Sequence, residues 1–404
     1  MKARQRGLVE GPALGHFPVL MPTPTMAFIG LGQISGAHFH GLNKLNLHRA
    51  EPSFELMAVA DPQPGRAEAW VHEHYSKDVP GPRIVADYRE LLVGPHRPDA
   101  VSILVPHHLH LEIARPFLEA GVAVQMQKPI GLAIRDSHEI IALAAKHKAP
   151  LVVSEPSILG RQRRREIEWI KAGTQLGAPT ILFDQAVIDM KGGFFMTPWR
   201  HLKGMAGAGW FIDHGVHQTH WMLETLGPCE SVMAQTRQIE PTRKDARWGE
   251  VKVDTEDVAA AVLRFASGAI VQFSVVSGGR GREHRLVLLY GTKGSWSDGR
   301  FTHAGSRDAL DPVYPEGKVT VPDDPFAHSY LELLSRMRQW DCPVIGSPER
   351  ALEAEAIIYA CLESAHTGRE VRVQDVIDGK ANTYEQTVWK AYEEVGKMSL
   401  EKLT

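Results

Sequence analysis

Three side chains in this 404-residue sequence have the types and neighbours for proton and hydride chemistry. Lys128 stands in Gln127-Lys128-Pro129, directly after the apolar run Val122 to Met126. If that run is a strand of a parallel sheet, Lys128 lies at its carboxyl end, where open α/β sheets bind ligands. An ammonium placed there can hydrogen-bond a substrate hydroxyl and steady charge developing on oxygen. Asp213 and His217 occur in Gly207-Ala208-Gly209-Trp210-Phe211-Ile212-Asp213-His214-Gly215-Val216-His217. They are four residues apart and share a face of the helix that begins there. A carboxylate beside an imidazole fixes its tautomer, and histidine is the side chain best suited to take an alcohol proton near neutrality.

A second constellation points to a nucleotide. Gly30-Leu31-Gly32-Gln33-Ile34-Ser35 leaves a strand and opens a helix. Such a turn lets backbone approach a pyrophosphate while the helix N-terminus offers free N–H groups. Ser35 replaces the third glycine of the usual pattern and is still small. Asp61 ends the next strand and can accept hydrogen bonds from a ribose 2′-hydroxyl, which favours NAD; Arg66 nearby leaves NADP open.

The elements that must position these groups follow two rhythms. From Met26 to Ser154 short apolar runs (26–30, 54–60, 100–105, 122–126, 151–154) alternate with helical stretches. That alternation implies βαβ units and a parallel sheet. After about residue 180, strand-like runs follow one another (180–188, 231–239, 258–265, 269–276, 284–290), with a hairpin signal at Ser267-Gly268. They imply a large, mostly antiparallel open sheet. Helices are expected over 163–172, 211–226, 326–339 and 348–366. The fold class is therefore α/β plus α+β. The expected division is an extended arm (1–25), a nucleotide-binding domain (26–150) and a substrate and oligomerisation domain (151–404).

Composition excludes other classes. Lys and Arg total 45 against 48 Asp and Glu, so no basic face suits nucleic acid. Cys229, Cys342 and Cys361 form no CxxC pair, which excludes a disulfide scaffold and a zinc knuckle and fits a reducing, cytoplasmic setting. The 17–32 run is broken by Pro18, Pro22 and Pro24 and cannot span a membrane. His214 and His220 lie on different helix faces, so these two and His217 do not share one ion and no metal is expected.

Taken in order, the motifs resemble the Gfo/Idh/MocA oxidoreductases over residues 26 to 373. The carrying segments are Gly30-Leu31-Gly32 with Asp61-Pro62, the run from Asp99 to His110, Lys128-Pro129, Pro198-Trp199-Arg200, Asp213-x-Gly215-x-His217 and the stretch Ser364 to Val371. The resemblance implies a Rossmann domain followed by the open-sheet domain, with Lys128 and His217 as the catalytic pair and Asp213 as partner of substrate or histidine. It implies NAD contacts from Gly30, Gly32, Gln33, Ile34, Asp61, Arg66, Pro106, His107, His110, Gln127, Trp199 and Arg200. Glu155, Trp210 and His214 are expected at the substrate, the tryptophan offering a flat ring to a sugar's C–H face. Gln127 departs from the family's usual Glu and removes a negative charge beside Lys128.

The expected reaction is NAD(P)-dependent oxidation of a secondary hydroxyl of a sugar, cyclitol or glycoside. Competing readings are a cis-dihydrodiol dehydrogenase of an aromatic acid, an NAD-retaining glycosidase and a non-enzymatic nucleotide sensor. An exposed sheet also leads one to expect a homodimer or homotetramer.

Overall fold

The structure is a computed structural model that describes residues 22–48, 53–94, 97–191, 193–303, 323–340 and 345–395. The expected arm falls outside the described residues up to position 21. The first half is β1 (Thr25–Ile29), α1 (Gln33–His48), β2 (Glu55–Ala60), α2 (Arg66–His74), β3 (Arg83–Val85), β4 (Ala100–Ile103), α3 (His110–Glu119), β5 (Ala123–Gln127), α4 (Ile134–His147) and β6 (Leu151–Ser154). The six strands lie parallel in the order β3-β2-β1-β4-β5-β6. β4, β5 and β6 are buried along their whole length, as strands covered by helices on both faces must be.

The second half begins with α5 (Pro156–Leu159), α6 (Arg161–Ala172), β7 (Pro179–Val187), α7 (Lys203–Ala206) and α8 (Trp210–Leu226). Then come β8 (Cys229–Arg237), β9 (Thr242–Asp245), β10 (Gly249–Lys252), β11 (Val258–Phe265), β12 (Ile270–Val276), β13 (His284–Gly291), β14 (Gly294–Ser297) and β15 (Arg300–His303). The chain closes with α9 (Pro325–Arg338), α10 (Pro348–Thr367), β16 (Val371–Arg372), α11 (Val373–Ile377) and α12 (Thr383–Val395). Eight strands form one sheet, β15-β14-β13-β7-β12-β11-β8-β16, antiparallel except where β12 meets β7. β11 alternates buried and exposed residues, which is the signature of a sheet covered on one face only. α8 and α10 supply that cover. Gly215 makes it close, because a Cβ there would stand 2.9 Å from Ile358 Cδ1 and 3.3 Å from Phe273.

The division at residue 150 is corrected on two counts. β6 pairs with β5 and is the sixth strand of the first sheet. α9, far along the chain, returns to that sheet: Tyr330 stacks on Phe28 of β1 with ring centroids 6.2 Å apart, and Leu333 is fully buried among Phe28, Leu42 and Leu45. Strand apolarity revealed the parallel sheet, but nothing local says that an amphipathic helix will cover an earlier domain rather than its own. The polar hairpin β9–β10 and helix α12, whose buried residues are only Tyr384 and Val388, also lacked a readable apolar pattern.

Because α9 completes the core of the nucleotide-binding half, Leu333→Ala is expected to cost about 2–5 kcal/mol. Urea unfolding checks this; a loss under about 0.5 kcal/mol, the range of a surface substitution, would show that α9 merely rests there.

Candidate active site

The glycine turn joins β1 to α1. Gly30 has φ of 89°, and a Cβ on it would lie 2.6 Å from the Leu104 carbonyl oxygen, so only glycine passes between β1 and the end of β4. Gly32 has no protein atom within 4 Å of where its Cβ would be. It and Gln33 are exposed at the mouth of the turn, with Ile34 half-buried behind them. That open ground before a helix N-terminus fits a pyrophosphate. Asp61 is buried and braces the turn: Oδ2 accepts from Leu31 N–H at 2.8 Å and Oδ1 from Gln63 N–H at 2.9 Å. Arg66 Nη1 lies 3.6 Å from Asp61 Oδ2 and also contacts Gln63. The carboxylate is thus held at the strand end where a ribose would meet it.

Lys128 leaves the end of β5 and crosses to the second half. Its Nζ donates to Asp213 Oδ1 at 2.8 Å and to the Asp213 carbonyl oxygen at 2.6 Å. Both side chains are about one-eighth exposed, at 12% each, so this ion pair is largely shielded from water. Arg200 Nε reaches Asp213 Oδ2 at 3.3 Å, its Nη1 donates to Thr197 Oγ1, and its guanidinium lies over Trp199. Burial alone would raise the Asp213 carboxyl; Lys128 and Arg200 outweigh it and hold the group well below the usual carboxylate range. Trp199 in turn stands edge-on to His107 at 4.9 Å. Trp199 and Arg200 therefore gather beside the Lys128 ion pair.

The expected Asp213–His217 pairing is corrected. Asp213 is taken by two full cations, which outcompete an imidazole. His217 Nδ1 instead meets Glu155 Oε1 at 2.5 Å. Glu155 follows β6, caps α5 through Ser157 N–H and has no exposed surface. Burial pushes its carboxyl upward, but the imidazole beside it prevails and keeps it ionised. Glu155 is thus the histidine's partner rather than an open substrate contact. Its other oxygen is 4.0 Å from Nε2 of the buried His220. His214 stacks on Trp210 at 4.6 Å, and burial first, then Arg285, lowers its pKa to about 3, so it is neutral.

The histidines of the turn after β4 divide. His107 Nδ1 lies 3.0 Å from the Ala206 carbonyl oxygen, and burial holds the ring neutral next to Lys128 and Asp213. Pro106, at the start of this turn, is half-buried. His110 is corrected: it is fully buried, and its ring nitrogens face the carbonyls of Ile130 and Val105 at 3.1 and 3.0 Å. It ties the β4 and β5 exits together. Gln127 is likewise turned inward, its Oε1 accepting from Lys128 N–H and its Nε2 meeting His38. Arg285 on β13 was missed; it bonds Asp184 and Gln218 next to the histidine face of α8. One arginine in an otherwise ordinary strand gave no signal in the sequence.

The site therefore gathers an amine, a carboxylate-backed imidazole and an ionised aspartate where the end of β5 meets the first turns of α8. Residues 25–155 match a family model described as an oxidoreductase family with NAD-binding Rossmann fold. Residues 180–297 match the GFO/IDH/MocA C-terminal domain. The chain is 26% identical over 278 residues to an uncharacterised oxidoreductase of Bacillus subtilis, covering 66% of this chain and 71% of that protein. It is 25% identical over 287 residues to a levoglucosan dehydrogenase of Pseudarthrobacter phenanthrenivorans, covering 65% and 69%. A solved levoglucosan dehydrogenase, in complex with NADH and levoglucosan, superposes with a TM-score of 0.72 at 18% identity, covering 87% of this chain and 99% of that one. With both of its domains matched across more than half of its length, the chain belongs to the Gfo/Idh/MocA oxidoreductase family, an NAD-binding Rossmann domain followed by a mostly antiparallel sheet domain.

Proposed function

We propose that this protein oxidises a secondary hydroxyl of a sugar, cyclitol or glycoside, with nicotinamide as hydride acceptor. One observation carries the reading: Lys128 of the nucleotide half is bonded to Asp213 of α8, one helical turn before the carboxylate-backed His217. NAD, when bound, supplies the acceptor for the hydride. The chain's own residues handle the proton and the orientation. Lys128 Nζ has three N–H donors and can offer one to the substrate oxygen. Glu155 takes the Nδ1–H of His217, which leaves Nε2 as the lone pair that receives the hydroxyl proton. The same carboxylate then stabilises the imidazolium. Asp213, fixed by Lys128 and Arg200, limits where the ammonium can point. Trp210, expected as an open ring for a sugar, is instead buried: it stacks on His214 and lies 5.8 Å from Phe195, so it backs the site from the core.

The relatives named above support the substrate class, since one is named for a sugar-derived substrate. A screen of polyols, hexoses and glycosides with NAD, read by the absorbance of reduced nicotinamide, tests it. Reduction with at least one of them is expected. No reduction with any of them, by protein that binds NAD, would reject the reading.

We also propose that a second copy of the chain covers the open sheet. Met233 and Val262 are direct cross-strand partners on its outer face, and they, Ile270 and Tyr290 are each 43–49% exposed. Light scattering is expected to give a mass of at least two chains; a monomer at micromolar concentration would contradict this.

Lys128→Met and His217→Ala are each expected to lower kcat about 10²–10⁴-fold, with NAD affinity nearly unchanged. Asp213 keeps Arg200 when Lys128 is lost, so folding should survive. Glu155→Gln should cost roughly 10²-fold or more, because an amide can neither hold the imidazolium nor fix the tautomer. Steady-state rates with NAD binding measured by titration check all three; a rate equal to wild type removes that residue from the mechanism.

A further inference from the structure

Gln127 stands where the family resemblance expects a glutamate, and its amide enters a line of buried polar groups. Lys128 N–H donates to Gln127 Oε1 at 2.8 Å. Gln127 Nε2 lies 3.2 Å from His38 Nε2, and His38 Nδ1 lies 3.0 Å from Tyr330 Oη. Tyr330 Oη is 3.3 Å from Ser102 Oγ, Ser102 Oγ donates to Gln125 Oε1 at 2.5 Å, and Gln125 Nε2 donates to Ser329 Oγ at 2.8 Å. His38, Ser102, Gln125, Ser329 and Tyr330 have no exposed surface, so bulk water does not reach the set.

The direction of this line follows from its first member. A backbone N–H can only donate, so it fixes the oxygen of the Gln127 amide toward Lys128 and the NH₂ toward His38. His38 Nε2 must then accept, and a neutral ring carries its one proton on Nδ1. That proton goes to Tyr330 Oη, whose own hydrogen points on toward Ser102. Burial keeps the ring neutral by lowering its pKa to about 3. Each hydrogen bond in the line then has one donor and one acceptor, and the line is anchored at its far end on α9.

We propose that Gln127 is a positioning residue for Lys128: it ties the Lys128 backbone, through the Nδ1–H form of His38, to Tyr330 and Ser329 of the returning helix. A glutamate at 127 would accept from Lys128 N–H with one oxygen but could only accept from His38 with the other. The ring would have to move its proton to Nε2 and the Tyr330 hydroxyl would have to reverse. Gln127 thus selects one of two hydrogen-bond directions: the bond to Lys128 N–H survives in both, but the brace behind it, from His38 to Tyr330 of α9, is set by that choice. The effect on turnover rests on the dehydrogenase reading above; the tautomer does not.

Long-range ¹H–¹⁵N correlation of the full chain labelled with ¹⁵N-histidine tests this, with His38 identified by the signal lost in His38→Gln. The wild type is expected to show His38 protonated on Nδ1 alone. Gln127→Glu is expected to move the proton to Nε2 and to lower kcat about tenfold, with KM for the hydroxyl substrate within about twofold. An Nε2–H ring in the wild type overturns the proposal whether or not the variant folds. An unchanged kcat in folded Gln127→Glu overturns the positioning role. A wild type inert toward every polyol counts against the dehydrogenase reading alone, because the ring spectra are read without turnover.

Discussion

The bond from Lys128 to Asp213 is the joint on which the site depends. It links the end of β5 in the parallel sheet to the first turns of α8 on the open sheet, and it does so where both side chains are mostly shielded. A shielded ion pair holds its geometry only if both charges are well bonded. Here Asp213 receives Lys128 and Arg200, while Lys128 also reaches a backbone carbonyl. The pair therefore fixes an amine at the end of β5 against the helix that carries the His217 imidazole one turn further on. Neither half of the chain makes the site alone.

Around that joint the packing is arranged to keep the two halves in register. Gly215 lets α8 press against Ile358 of α10 and Phe273 of β12, and a side chain there would push away the helix that carries Asp213 and His217. Glu155, at the end of the first sheet, reaches His217 from the nucleotide side. α9 crosses back and seals the face of β1, and its Tyr330 enters the polar line that ends at Lys128. His110 spans the exits of β4 and β5. Apart from the His110 tie, these contacts join segments far apart in the chain, so the geometry of the candidate site is a property of the tertiary fold and not of any motif.

That explains which parts were legible in the sequence. The glycine turn, Asp61, Lys128-Pro129 and the Asp213-to-His217 spacing are short patterns whose chemistry is local, and they pointed to a nucleotide-binding domain and to the candidate acid–base residues. Strand character was legible wherever a strand is buried on both faces or alternates, as in β4 and β11. Spacing misassigned the histidine's partner, because a shared helix face says who can meet but not who is better served elsewhere. Glu155 lies 62 positions before His217, and no periodicity links them. The inward turn of Gln127 was hidden for the same reason: its partner His38 comes from α1 and is fixed by a tyrosine of α9.

The central claim is that Lys128 and His217 act as one unit on a single substrate oxygen. A double-mutant cycle in kcat/KM with Lys128→Met and His217→Ala measures this most directly, on a polyol that the wild type oxidises. Groups that act together are strongly non-additive, so the double variant should be no more than about tenfold slower than the worse single variant. If the two losses instead multiply in full, the amine and the imidazole work independently, and the account of a shared site is wrong.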